Sequence, residues 1–148
     1  MSLENWLNDK LIVRHRPSAG EVAELLHICD RDLEKTGIIE LGPDWRLSIA
    51  HNAAVQAAKA ALATVGYRAR KEGQHYLVLQ SLAFTIKTDP ATIKQLDKFR
   101  GKRNISDYEK AGLVTEQEAE EMIALAKQLR DDVERWLRAH YPSLAKKI

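Results

Sequence analysis

The chain has few of the residues and segments that several classes of protein require. Cys29 is the only cysteine, which excludes an intramolecular disulfide and any multi-cysteine zinc or iron–sulfur site and favours a reducing compartment. No apolar run approaches the roughly 20 residues that cross a bilayer. Residues 1–5 lack the basic and apolar parts of a signal peptide. We therefore expect a cytoplasmic protein that does not enter a membrane.

Charge of one sign is also scarce. The 23 Lys and Arg residues stand against 21 Asp and Glu residues, which gives a formal net charge of +2. The whole molecule is therefore not a polycation for nucleic acid, and any such binding must come from a local patch. A length of 148 residues with 45% hydrophobic and 30% charged residues predicts one globular domain over residues 1–148.

Most of the 7 glycines and 4 prolines fall between periodic stretches and predict helices joined by short loops. The predicted helices cover residues 3–13, 18–37, 45–65, 74–87, 89–108 and 115–142. Ser18 with Glu21 and Thr115 with Glu118 have the spacing of capping boxes. The sequence thus predicts an all-α fold with its core at about residues 18–140.

Two of these predicted helices carry a further expectation. The fourth is apolar nearly all round, which predicts a central helix, and a β-strand is the competing interpretation for residues 76–79. The last helix has an apolar stripe that would pack along a bundle or against a partner. The stripe consists of Ala119, Met122, Ala126, Leu129, Val133, Trp136 and His140.

Standard catalytic motifs are absent from the chain. There is no glycine-rich phosphate loop, no zinc-binding His-Glu-x-x-His and no Gly-x-Ser-x-Gly. No two of the five histidines have the spacing of a metal site on one helix, although a site built from several helices stays open. We expect neither a metal nor a cofactor.

The informative segment is the basic stretch from residue 94 to residue 110. Its lysines form either a solvated helix face or a ridge that contacts phosphates. Arg103 follows Ile93, Leu96 and Phe99 on the apolar side of the helix, so its charge must be paired or must line a cleft. One interpretation is an internal Arg103–Asp107 salt bridge with Asn104 as a cap. The other is an anion-binding cleft in which Arg103 holds a phosphate and Asn104 orients it.

The run Lys102-Arg103-Asn104-Ile105-Ser106-Asp107-Tyr108 resembles the Arg-Asn motif region of HEPN domains, the "higher eukaryotes and prokaryotes nucleotide-binding" superfamily. The alanine-rich third helix and the His75-Tyr76 start of the fourth are similar to small prokaryotic members. The resemblance implies an antiparallel up-down bundle of four to five main helices plus a short N-terminal helix. It also implies a homodimer whose motif helices face each other across a basic cleft. Many such domains are metal-independent endoribonucleases that cut single-stranded RNA, often as toxins paired with a nucleotidyltransferase antitoxin.

The resemblance also implies the site residues. The family motif is arginine, four to six residues of which the first is polar, and then histidine. Arg103 and Asn104 match its start, whereas Tyr108 stands where histidine is expected. The implied catalytic residues are Arg103, Asn104 and Tyr108, and the implied phosphate-binding residues are Arg100, Lys102 and Arg103.

The missing histidine leaves three alternatives, because a phenol is a poor base near pH 7. Tyr108 acts as an acid or is activated by basic neighbours. His51 or His75 fills the role from a facing helix, with Asp107 as a further accessory residue, although the ordinary interpretation of both histidines is a satisfied, partly buried side chain. In the third alternative the domain has no catalytic activity and only binds its ligand.

The function expected from the sequence is a dimeric HEPN-type protein that binds RNA or a nucleotide phosphate, with ribonuclease activity open. The alternative is a non-catalytic HEPN interaction module that pairs with a nucleotidyltransferase or another partner protein.

Overall fold

The computed structural model describes residues 2–108 and 110–148, with the backbone alone at Tyr108, and these residues form seven α-helices and one two-stranded sheet. The helices are α1 (Leu3–Asn8), α2 (Ala19–Lys35), α3 (Pro43–Thr64), α4 (His75–Gln80), α5 (Pro90–Tyr108), α6 (Glu116–His140) and α7 (Pro142–Ala145). The strands are β1 (Ile12–Arg14) and β2 (Tyr67–Ala69). The structure is 72% helical, which confirms the all-α, HEPN-like prediction.

The central helix is α3, and not the fourth helix as the sequence analysis expected. The alanine-rich helix α3 is buried on almost every side, and it packs against α2, α4, α5 and α6. Small side chains allow this because neighbouring helices come close to the α3 backbone. The fourth helix instead has an exposed side, with Tyr76 51% exposed.

The apolar stripe of α6 is used inside the fold. Thr115 and Glu118 form the predicted capping box, and the stripe packs mainly on α3. Its residues from Ala119 to Val133 are buried, whereas its last member, His140, is exposed. The stripe is therefore not a free surface for a partner.

The N-terminal segment departs from the predicted helix over residues 3–13. The helix ends at Asn8, Lys10 adopts a left-handed φ of 60°, and the chain continues as β1. β1 pairs antiparallel with β2, with Ile12 opposite Ala69 and its side chain buried. A strand stabilised by a partner more than fifty residues away leaves no local signal, because its hydrogen bonds are all to β2.

The fourth predicted helix, over residues 74–87, is also too long. α4 ends at Gln80 and a 3₁₀ turn over Ser81–Ala83 follows, and the strand alternative for residues 76–79 is wrong. The hydroxyls of Ser81 and Thr85 donate to backbone carbonyls three and four residues earlier. Such local bonds compete with helix continuation and explain the early end.

Only one of the two hydrogen bonds of the predicted capping box forms at the start of α2. Ser18 accepts a hydrogen bond from the Glu21 N–H at 3.1 Å. The Glu21 carboxylate does not complete the capping box; both of its oxygens lie 2.7 Å from His15 Nε2 instead. Because His15 follows β1, this contact ties the small sheet to α2. None of the helices in the described ranges combines the length and the apolar content needed to cross a bilayer.

Candidate functional site

The Arg-Asn motif lies near the C-terminal end of α5. Pro90 occupies the first turn of the helix, Asp89 accepts the Thr92 N–H at 2.7 Å, and the helix runs through Gly101 without ending. Leu96 and Phe99 are completely buried and fix which side of α5 faces the core. Arg103 follows on that side, with its side chain 19% exposed, so it leans inward and still reaches solvent.

One edge of the Arg103 guanidinium is held in place. Its Nε lies 3.3 Å from Asp107 Oδ2 and 3.3 Å from Ser48 Oγ, and Ser48 donates to the same carboxylate oxygen at 3.1 Å. Among the described side chains, no hydrogen bond or ion pair engages the two terminal nitrogens. The predicted Arg103–Asp107 salt bridge therefore forms, and it leaves the fork of the guanidinium open.

That open fork lines a cleft between α5 and α4. The cleft has a volume of about 620 Å³ and is lined from α5 by Arg100, Arg103 and Asn104. The opposite wall includes His75 and Tyr76. The structure thus brings together residues that the sequence singled out separately, with a histidine in the same cleft as the arginine and the asparagine.

An aromatic surface adjoins the arginines. The Arg100 guanidinium carbon lies 5.3 Å from the centre of the Tyr76 ring, and Arg100 Nε donates to Asp97 at 2.8 Å. The exposed ring beside a cation is the kind of platform on which an unpaired base stacks. Sequence analysis did not name Tyr76 as a site residue, because only the fold places it opposite Arg100.

His75 is the histidine that reaches the cleft. The pKa of His75 is lowered by its partial burial, by the nearby Arg103 charge, and by Lys59 and Arg100. The imidazole is therefore neutral at pH 7, which is the state that accepts a proton.

His51 lies behind His75, with 6.3 Å between the ring centroids. It is completely buried, and neither ring nitrogen has a hydrogen-bond partner among the described residues, so the expectation of a satisfied, partly buried side chain is wrong. Burial, followed by the charges of Arg103, His75 and Arg100, lowers the pKa of His51 to about 3. The Leu96 backbone partly opposes this lowering of the pKa, although its geometry is too poor for a hydrogen bond to the imidazole.

The remaining predicted site residues lie outside the cleft lining. Lys102 turns to the α5–α6 connection, where its Nζ lies 3.1 Å from Glu118 and 3.1 Å from the Leu113 carbonyl. Asp107 holds Arg103 and does not line the cleft itself. The side chain of Tyr108 lies outside the described part of the chain, so its role stays a prediction.

Lys59 is the functional candidate that sequence reasoning missed. It is the single charged residue in the alanine-rich part of α3, and this isolation is the signal in the sequence that could have identified it. Lys59 forms no ion pair among the side chains that the structure describes. In the same part of the chain, no three His, Cys, Asp or Glu side chains are grouped as metal ligands.

Comparison with protein-family models identifies a family for this chain. The family model described as "HEPN domain" matches residues 23–136, from the first turns of α2 to the last turns of α6. The searches of curated proteins and of solved structures found no match. The matched region contains the Arg-Asn motif, both histidines of the cleft region and the central α3 helix. The chain therefore belongs to the HEPN domain family.

Proposed function

We propose that this HEPN protein binds the phosphate backbone of single-stranded RNA in the α4–α5 cleft and cleaves it without a metal. In this proposal His75 takes the role of the histidine that the motif lacks. The observation that carries it is the position of His75, which shares the cleft with Arg103 and Asn104 although it lies on another helix.

The charge of the cleft supports an anionic ligand. Arg100 and Arg103 line it and no Asp or Glu does. Because Asp107 and Ser48 hold the Nε of Arg103, the two terminal nitrogens are oriented before a ligand arrives. A planar guanidinium with a free fork matches two oxygens of one phosphate.

The reaction needs a proton acceptor and a stabiliser of negative charge. Neutral His75 removes the proton of a ribose 2′-hydroxyl, and that oxygen attacks the adjacent phosphorus. The bond to the 5′-oxygen breaks, the proton held by His75 returns through water to the leaving oxygen, and a 2′,3′-cyclic phosphate results. Arg103 stabilises the charge of the pentacovalent phosphate, and Asn104 orients it. The bound phosphate also offsets the arginine charges, which raises the pKa of His75 towards its ordinary value.

The test is cleavage of a single-stranded RNA in the presence of EDTA. We expect Arg103→Ala to slow cleavage about 10²- to 10³-fold and His75→Ala about 10²- to 10⁴-fold. Tyr108→Phe separates the alternatives, since it leaves the rate unchanged when His75 is the base. Lys94→Ala, an exposed cation on the same helix, is the matched control. A wild-type rate in His75→Ala, with a slow Arg103→Ala, would show that His75 is not the base.

Binding of RNA is tested separately by its salt dependence. Affinity should fall steeply as salt rises, because phosphate binding releases counterions. Arg103→Ala should reduce the slope of log affinity against log salt by about 1. Equal slopes for the two proteins would remove Arg103 from the phosphate site.

A second candidate function is a non-catalytic module that pairs with a partner protein such as a nucleotidyltransferase. It is favoured by an exposed apolar patch at the α2–α3 connection, formed by Ile38, Ile39, Leu41, Trp45 and Leu113. Trp45 is 63% exposed, which is unusual for so large an apolar side chain. Asp44 accepts the Gly112 N–H at 2.8 Å, which joins the two segments that carry the patch.

The same patch is our proposed homodimer face. HEPN domains often dimerise, the α6 stripe is buried in the fold, and Ser48 links this end of α3 to Asp107 beside the motif. A second copy on the patch would lie next to the end of α5 that carries the motif. Trp45→Ser should then lower the molar mass in solution from dimer to monomer, as measured by light scattering. A monomeric wild-type protein that captures a nucleotidyltransferase would favour the second candidate instead.

A further inference from the structure

A second cavity lies on the other side of His75 from the α4–α5 cleft. Its volume is about 200 Å³, and it is more enclosed than the cleft. Gly73, Gln74 and His75 line both spaces, so the segment at the start of α4 forms the wall between them. The two spaces therefore adjoin at the start of α4.

The walls of this cavity are of two kinds. Aliphatic side chains cover its inner part, contributed by α2, α3 and α4: Leu25, Val55, Leu62 and Val78. Polar and charged side chains stand around them: the paired His15 and Glu21, Lys59, Arg68, Lys71, Glu72, Gln74 and His75. Sites for small ligands also combine apolar walls with polar groups that fix the orientation of the ligand.

Gln74 and Lys59 are polar residues of the cavity without side-chain partners among the described residues. Gln74 Oε1 is enclosed and accepts no hydrogen bond from any described residue. An enclosed acceptor without a donor costs free energy, which a ligand N–H would recover. Lys59 makes no ion pair in the described part of the chain, and its ammonium lies near enough to lower the pKa of His75. By contrast, His15 and Glu21 satisfy each other at 2.7 Å.

We infer that this cavity binds one nucleobase of the RNA whose phosphate lies in the α4–α5 cleft. The inference rests on the proposed function for the position of the phosphate. The faces of the base lie against the aliphatic side chains, an N–H on its edge donates to Gln74 Oε1, and Lys59 faces the phosphate side of the nucleotide.

The size and chemistry of the cavity favour a base over other ligands. Pockets for drug-sized molecules have volumes of about 300–1,000 Å³, so 200 Å³ holds one ring system and little more. A base has apolar faces and a polar edge, which matches the two kinds of wall. Because His75 stands between the spaces, a base held here places its own ribose beside the imidazole.

The experiment compares two oligomers that differ only in their bases. A 2′-deoxyadenylate hexamer and an abasic deoxyribose-phosphate hexamer carry the same phosphates, and neither has the 2′-hydroxyl needed for cleavage. Fluorescence anisotropy at low salt measures both affinities. We expect the adenylate hexamer to bind at least about tenfold more tightly than the abasic one.

Variants locate the base. Gln74→Leu and Lys59→Met should each reduce the advantage of the adenylate hexamer by about three- to tenfold. Neither change removes a hydrogen bond or an ion pair found in the described residues, so both variants should fold like the wild type. Lys94→Met is the matched control for loss of a lysine charge, and it should leave the advantage unchanged.

The outcomes separate this inference from the proposed function. Equal binding of both hexamers, weakened by Arg103→Ala, overturns the base site and leaves the phosphate site standing. An adenylate advantage that survives both cavity variants overturns the inference, because the base then binds elsewhere, for instance on Tyr76. An advantage lost in both variants but insensitive to Arg103→Ala supports the base site and contradicts the phosphate site. No binding of either hexamer overturns both.

Discussion

His51 should make the stability of the protein depend on pH. In the folded state its pKa is about 3, against 6.5 in the unfolded chain, because burial and the neighbouring Arg103 charge oppose protonation. The unfolded chain therefore binds a proton at a pH where the folded chain does not. Stability from this group is complete above pH 6.5 and is lost as the pH falls from there towards 3.

The size of the effect follows from the two pKa values. At pH 5, about 1.5 pH units below the pKa of His51 in the unfolded chain, protonation stabilises the unfolded chain by about 1.4 kcal/mol for each of those units. The free energy of unfolding is therefore about 2 kcal/mol lower at pH 5 than at pH 8. The pKa of His75 is also lowered in the folded state, so His75 adds a further loss of stability at acidic pH. The carboxyl groups with lowered pKa act only below their ordinary values of 3.8 to 4.5, outside this range.

Urea unfolding at pH 8 and pH 5 measures the difference. We expect His51→Leu to lose about 2 kcal/mol less than the wild type between these pH values, whatever its stability at pH 8. His27→Gln, a change at an exposed histidine of α2, is the control and should keep the wild-type difference. The same pH dependence in His51→Leu as in the wild type would refute the assignment of a buried neutral imidazole.

Two further predictions concern the frame that holds the site. Arg46→Ala should lower the free energy of unfolding by about 2 kcal/mol, because buried Arg46 donates from Nε to the Thr36 carbonyl at 2.8 Å and that carbonyl would lose its partner. Chemical unfolding at pH 7 measures it, and a change below about 0.5 kcal/mol would contradict the role given to the bond. Thr115→Ala should cost about 1 kcal/mol by removing the cap of α6. Thr115→Ser, which keeps the hydroxyl, should restore most of that stability; a Thr115→Ser as unstable as Thr115→Ala would show that the cap is not the cause.

Much of the fold could be predicted because the information is local. Thr115 with Glu118 and Asp89 with Pro90 identify two helix starts, since a cap and its partner lie within one turn. The side of α5 from which Arg103 projects also follows from the spacing of Leu96 and Phe99. The structure agrees with these predictions because each depends on neighbours in the same helix.

The sequence failed where the pattern of a segment competes with a contact that the pattern does not show. β1 exists because of β2, and the Glu21 carboxylate turns to His15 instead of completing its capping box. α4 ends early because the Ser81 hydroxyl donates to the Val78 carbonyl of the helix, in competition with a strongly apolar helical pattern. Local patterns describe what each segment favours alone, and these three outcomes are decided by competition between alternatives.

For the candidate site as well, some features follow from the sequence and others only from the tertiary structure. By itself the sequence determined the resemblance to HEPN domains, the inward direction of Arg103 and the absence of a histidine at position 108. Only the tertiary structure decided that His75 reaches the cleft of Arg103 whereas His51 is buried behind it, and that a second cavity adjoins His75. The reason is physical: helical periodicity fixes directions within one helix, but the distance between side chains of α4 and α5 is set by how both pack on α3.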